Sequence, residues 1–161
     1  MLTDYVVIDL EMTGLNAKTD RILEAGAARV RGNVVTATFS EIINPKRELS
    51  EKVISLTGIT NEMAVQGKEM DATLMAFLDF IGEDILVGQN VIFDYSFLKQ
   101  WAVNHKRTFE RNAVDTLKLA RKFLPQEQKK DLASLCSYFG IERVHAPVSY
   151  THLRAHETRE D

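Results

Sequence analysis

The sequence has a single cysteine, Cys136, so no internal disulfide can form and a reducing compartment suits it. That residue falls within an apolar helical pattern and reads as a core thiol, not a nucleophile. Prolines number only three, and each marks a boundary: Pro45 ends a strand, Pro125 ends a helix and Pro147 opens a different kind of sequence. No apolar run approaches the roughly 20 residues of a membrane span. Met1-Leu2-Thr3-Asp4 does not read as a signal peptide, because a strand pattern starts at once, so a cytoplasmic location is expected. Excess positive charge is missing as well. A net charge of −3 excludes a general basic nucleic-acid binder, although bound cations can attract phosphate locally in an acidic protein. What is present is enough apolar residue, 45% of 161, for one globular domain with a real core.

That core is organised around Tyr5-Val6-Val7-Ile8-Asp9-Leu10-Glu11. Four consecutive apolar residues, three of them β-branched, predict a strand buried on both faces near the centre of a largely parallel sheet. The run then breaks into Asp-x-Glu. Residues two apart on a strand share a face, so Asp9 and Glu11 hold their carboxylates roughly 6–7 Å apart at the strand's C-terminal end. Open α/β sheets bind their ligands at that end. Two anions so close repel unless one is protonated or a cation intervenes, and oxygen ligands favour Mg²⁺ or Mn²⁺. A single Asp-x-Glu arises by chance in about half of chains of this length. The reading therefore depends on what else converges there.

Met12-Thr13-Gly14-Leu15 predicts a turn able to bring backbone N–H groups to a ligand. Strands over Ile22–Val30 and Val34–Ile43 flank Gly32-Asn33, a hairpin signal that makes the sheet mixed. The small run Ala25-Gly26-Ala27-Ala28 implies close packing under a neighbouring element. Ser50 caps a short helix reaching Leu56, Thr57-Gly58-Ile59 turns the chain, and Thr60 caps the segment after it. A longer helix spans about 71–82, and Ile85-Leu86-Val87 is a buried strand. In the next helix Phe93, Phe97 and Trp101 predict one buried face, with Asp94 an acid in its first turn. Asn112-Ala113-Val114 predicts a short strand, Asp115-Thr116 a helix start, and Asp131 the cap of a last helix closed by Gly140. Lys118, Arg121, Lys122, Lys129 and Lys130 form a basic cluster, more simply a solvated face than a phosphate track.

Asp9-Leu10-Glu11, Leu56-Thr57-Gly58-Ile59-Thr60 and Asn90-Val91-Ile92-Phe93-Asp94, in this order, resemble the DEDD superfamily of 3′→5′ exonucleases. The likeness is to the proofreading epsilon type of DNA polymerase III and the exonuclease domain within PolC-type polymerases, and it runs from Asp4 to about Ala146. It implies an α/β, ribonuclease-H-like fold: a five-stranded mixed sheet flanked by helices. It also implies two divalent metal ions, Mg²⁺ or Mn²⁺, roughly 4 Å apart, which activate water and stabilise the leaving 3′ oxygen. Asp9 would bridge both ions, Glu11 would ligate the one that activates water, and Asp94 would help hold the other. Glu11 and the backbone of Thr13 and Gly14 would meet the terminal 3′ hydroxyl. Leu56, Thr57 and Phe93 would pack or bond around the last nucleotides, with Asn90 supporting the loop. The implied partners are a single-stranded DNA 3′ end and a polymerase subunit or domain. An RNA trimmer on the same scaffold, or a non-catalytic module binding a polymerase or nucleic-acid end, are the alternatives.

The family completes its site with His-x4-Asp on a final helix, the His acting as general base. Here the chain reads Pro147-Val148-Ser149-Tyr150-Thr151-His152-Leu153-Arg154-Ala155-His156-Glu157-Thr158-Arg159-Glu160-Asp161. This tail lacks apolar periodicity and resembles a translated sequencing adapter read through from a truncated gene fragment. The expected organisation is an exonuclease domain over 1–146 and a non-native tail over 147–161, with the last helix missing or replaced and activity impaired. His156 and Asp161 reproduce the family's spacing, an accident unless that segment docks beside Asp9. His145 is no substitute, since Tyr150 stands where its Asp would be.

Overall fold

The computed structural model of the chain describes residues 2–116. Its elements are β1 (Tyr5–Met12), β2 (Ile22–Arg31), β3 (Val34–Ile42), α1 (Glu51–Thr57), α2 (Asn61–Val65), α3 (Met70–Ile81), β4 (Leu86–Gly88), α4 (Val91–Asn104) and β5 (Ala113–Asp115). The five strands form one sheet in the order β3-β2-β1-β4-β5. β1 pairs antiparallel with β2 and parallel with β4. The β2–β3 pair is antiparallel and the β4–β5 pair parallel, so the sheet is mixed, as the hairpin pattern predicts. At the hairpin, Gly32 and Asn33 both take left-handed backbone, φ 57° and 63°, the twist a tight two-residue turn requires.

One face of the sheet packs against α3 and α4. Val6, Ile8 and Leu10 of β1 join Ala25 and Ala27 of β2 under Leu74, Phe77 and Ile81 of α3 and Phe97, Leu98 and Trp101 of α4. The alanines explain the small run in β2, since the helix face sits directly on them. The opposite face carries a second buried cluster of Tyr5, Val7, Ala28, Val30, Val35 and Val87. α1 and α2 form a third cluster with Leu23 at the start of β2, through Ile59 and Ala64. Both short helices have the caps read from sequence: the Ser50 hydroxyl accepts from Val53 N–H at 3.2 Å and the Thr60 hydroxyl from Met63 N–H at 3.2 Å.

Asp115 ends β5, its backbone in register with Gly88, and Thr116 directly after it is helical, as the Asp115-Thr116 helix start predicts. One expectation needs correction. Phe93 is only half-buried while Phe97 and Trp101 are buried, since it lies at the margin of the core, edge-on against Phe97 in the first turn of α4. The helices expected after Thr116, the basic cluster, Cys136 and the boundary at Ala146–Pro147 lie outside the described residues.

α3 and α4 are clasped at the surface. Asp71 accepts from Trp101 Nε1 at 3.0 Å and meets His105 Nε2 at 3.1 Å. His105 stacks on Trp101 with ring centroids 4.3 Å apart, and its Nδ1 donates to the Trp101 carbonyl at 2.8 Å. The Trp101 indole, ahead of His105, holds the Asp71 carboxyl below its ordinary value. The Trp101 carbonyl, ahead of Asp71, holds the His105 imidazole above its own. A raised histidine contributes stability that is complete below its unfolded value and fades as pH rises through the folded one. A lowered carboxyl contributes above its unfolded value and is lost as pH falls through the folded one. The melting-temperature advantage of the parent over H105Q is therefore expected to be largest between the ordinary values, 3.8 and 6.5, and to shrink on both sides, as thermal denaturation across pH will show.

Candidate active site

The site grows out of a mismatch in strand length. β4 has three residues and pairs with β1 only at Val6–Leu86 and Val7–Val87, so β1 runs on past it. Val6 N–H donates to the Ile85 carbonyl at 3.0 Å, which turns the N–H groups of even-numbered β1 residues toward β4. By Leu10 there is no β4 carbonyl left to accept. A buried backbone donor needs a partner, and Asp94 in the first turn of α4 supplies it: Oδ2 accepts from Leu10 N–H at 3.2 Å. Gly88 makes this geometry possible. A Cβ there would stand 2.8 Å from the Ile8 carbonyl oxygen and 3.2 Å from Val91 Cγ2. Asp94, 5% exposed, is thus fixed at the backbone between Asp9 and Glu11, although it lies 84 residues away in sequence.

The odd-numbered residues of β1 face away from α3 and α4. Asp9 stands opposite Gly26 of β2, so that strand sets no side chain against its carboxylate. Glu11 stands opposite Glu24, and a register shift follows directly between Glu11 and Met12. Glu11 is 5% exposed and Glu24 only 1%. Glu24 is absent from the sequence-derived set. Its signal was available: one glutamate inside the otherwise apolar run from Ile22 to Ala28.

Thr13 and Gly14 sit at the base of the β1–β2 loop, and Asp20 and Arg21 brace them. Thr13 N–H donates to the Arg21 carbonyl at 2.9 Å, and the Thr13 hydroxyl accepts from Arg21 N–H at 2.9 Å while donating to Asp20 Oδ1 at 3.2 Å. The Asp20 carboxylate lies over Gly14, where a Cβ would come within 2.3 Å of it. The Thr13 N–H is thus engaged inside the loop.

Asn90 takes left-handed backbone (φ 53°, ψ 40°) ahead of α4, and its N–H donates to Asp115 Oδ1 at 3.1 Å. Asp115 thereby ties the end of β5 to the turn that delivers Phe93 and Asp94, a strut that sequence reasoning did not single out. Phe93 packs edge-on against Phe97, centroids 5.3 Å apart. Leu56 is exposed in the last turn of α1. Thr57 beside it is buried, donating to the Val53 carbonyl at 2.8 Å and accepting from Ile59 N–H at 3.1 Å. α1 reaches the site through Leu23, whose neighbour Glu24 faces Glu11.

Asp9, Glu11 and Asp94 offer oxygen donors only, which suits a hard divalent cation and not a soft one. Among the described residues, no three His, Cys, Asp or Glu side chains close into a finished metal centre. The positions after Ala146, where the expected pattern would place its histidine and fourth acid, lie outside the described residues.

The exonuclease family model (RNase_T) matches residues 6–152. The DNA polymerase III subunit epsilon of Aquifex aeolicus is 36% identical over 139 residues, which cover 86% of this chain and 69% of that protein. A PolC-type DNA polymerase III of Bacillus subtilis is 38% identical over 143 residues, 86% of this chain but 10% of that protein. The chain thus spans about two thirds of the first relative and a tenth of the second. Among solved structures, E. coli exonuclease I bound to single-stranded DNA, in a zinc-ion form, aligns at TM-score 0.70 and 16% identity, over 99% of this chain and 40% of that one. Exonuclease X in complex with 5′-overhanging duplex DNA aligns at TM-score 0.63 and 20% identity, over 97% and 91%. These likenesses show the shared fold. The chain belongs to the exonuclease family, and its class is the 3′→5′ exonuclease implied by the motif order.

The Leu10–Asp94 bond makes a separable prediction. D94N keeps an oxygen for Leu10 N–H, whereas D94A leaves that buried donor unsatisfied. Urea denaturation is expected to find D94A less stable than D94N by about 1–3 kcal/mol. Equal stabilities would mean the bond contributes nothing to the fold.

Proposed function

We propose that the chain hydrolyses DNA from its 3′ end as a proofreading-type exonuclease, using two divalent ions held by Asp9, Glu11 and Asp94. The observation that carries this reading is the Asp94 Oδ2 to Leu10 N–H bond of 3.2 Å, which brings a third carboxylate to the Asp9–Glu11 strand end. Bound Mg²⁺ or Mn²⁺ would supply Lewis acidity to a water and neutralise charge on the leaving 3′ oxygen. The chain's own residues do the rest. Glu11 and Gly14 N–H receive the terminal 3′ hydroxyl, which confines hydrolysis to an end. Leu56, Thr57 and Phe93 hold the last nucleotides, and Asn90, tied to Asp115, keeps Phe93 and Asp94 in place. A single strand is the favoured substrate, because its end can splay into such a site.

The names of the epsilon and PolC-type relatives support a polymerase subunit or domain as the partner. A cytoplasmic location is part of the same proposal, and no helix among the described residues is long and apolar enough to cross a membrane. The sequence after Ala146 gives this polypeptide little turnover, because Pro147 stands where the general base is expected.

The test is cleavage of single-stranded DNA labelled at its 5′ end, with Mg²⁺ or Mn²⁺. The chain runs beside a version whose residues after Ala146 are replaced by His-Arg-Ala-x-x-Asp and a closing helix. Laddering from the 3′ end in the repaired protein, lost by at least 100-fold in its D9N form, is expected. Equal laddering in both chains would assign the work to His156 and Asp161. No laddering in either would leave a binding module. A parallel arm with the matching RNA separates a DNA enzyme from an RNA trimmer.

A further inference from the structure

Of the three acids that the described residues bury, Glu11 and Asp94 belong to the proposed metal set and Glu24 does not. Glu24 sits between Leu23 and Ala25, neither of which is exposed at all. Leu23 packs into the cluster with α1 and α2, and Ala25 into the main core, so two separate clusters hold this stretch of β2 in place. The register gives Glu24 an acid, Glu11, as its neighbour on β1 and an aliphatic residue, Ile42, as its neighbour on β3.

Directly opposite residues of an antiparallel pair share a sheet face, with Cβ atoms roughly 4.5–5.5 Å apart, and diagonal ones lie roughly 7–8 Å apart. Glu24 is opposite Glu11 and diagonal to Asp9, because Asp9 faces Gly26. Gly26 has no side chain to set between them. Three carboxyl groups therefore share one face of β1 and β2, while Asp94 reaches β1 from the β4 side. Like charges directly opposite destabilise a strand pair, and a low-dielectric setting strengthens the repulsion. A divalent cation at Asp9 and Glu11 turns the same arrangement favourable. Glu24 stands a strand further from Asp94 than Glu11 does, so it acts on such an ion from behind Glu11.

We propose that Glu24 is a positioning residue for Glu11. It keeps the Glu11 carboxylate off β2 and toward Asp94, and it adds to the negative field that draws the divalent cation. The inference deepens the exonuclease reading and rests on it, since the cation is the one proposed for Asp9, Glu11 and Asp94. Stability and cation binding are set against each other here. Without the ion, Glu24 opposes the pairing of β1 with β2; with the ion, it favours occupancy. A side chain that merely filled space in the sheet would not separate the two effects.

E24Q keeps the shape of the side chain and removes the carboxylate, and two measurements on the full chain need no turnover. One is calorimetric titration with Mn²⁺, the other thermal denaturation in EDTA. E24Q is expected to bind Mn²⁺ about tenfold more weakly, the loss usual for a group standing behind a metal ligand. Its metal-free melting temperature is expected to rise by about 2–4 °C, as one opposed charge pair is relieved. Equal Mn²⁺ affinity in parent and E24Q would overturn the proposal. Weaker binding with a metal-free melting temperature that does not rise would overturn it too, because that pattern marks a purely structural role. Binding heat that survives D9N would place the ion elsewhere and sink the idea, as would a parent that takes up no Mn²⁺. Laddering by the repaired chain, measured separately, reports on the exonuclease reading whichever result appears.

Discussion

The bond from the Leu10 backbone to the Asp94 carboxylate governs this structure, because it settles two problems at once. β1 outruns β4 and leaves a buried N–H without a ladder partner. α4 must also deliver an acid to the place where β1 already carries two. A carboxylate accepting a backbone donor answers the first need and accomplishes the second. Gly88 permits the close approach, and the tie between Asn90 and Asp115 holds the turn from its other side.

Around that point the architecture keeps charge and apolar surface apart by strand alternation. Even-numbered β1 residues enter the main core, while Asp9 and Glu11 face the other side, where Gly26 and Glu24 stand opposite them. Glu24 is the most costly element of this plan. A carboxylate at 1% exposure stands across from another buried carboxylate on the same sheet face, where burial penalises the charged form of both.

Much of the fold was legible because its signals were local. Four apolar residues in a row, a Gly-Asn turn and Ser and Thr caps are each decided within a few residues, and the structure returns them nearly to the residue. Asp9, Glu11 and Asp94 were legible only through the ordered motifs, since an acid in a helix's first turn more often serves the helix dipole. What escaped depended on register. Glu24 becomes noticeable once β2 is aligned on β1, and the tie from Asp115 to Asn90 once β5 is seen to pair with β4.

The span of the Leu10–Asp94 bond bears on the order in which the molecule assembles. β1, β2 and β3 are neighbours in both sequence and sheet, so their pairing requires only short loop closures. The parallel β1–β4 pairing must wait for roughly 80 residues to be gathered, a slower event by topology alone. The meander can thus condense before Asp94 reaches the other carboxylates. The repulsion between Glu11 and Glu24 is set within that meander, whereas the share that Asp94 adds enters late, after the apolar nucleus exists to oppose it, and acts on the unfolding rate more than on the folding rate.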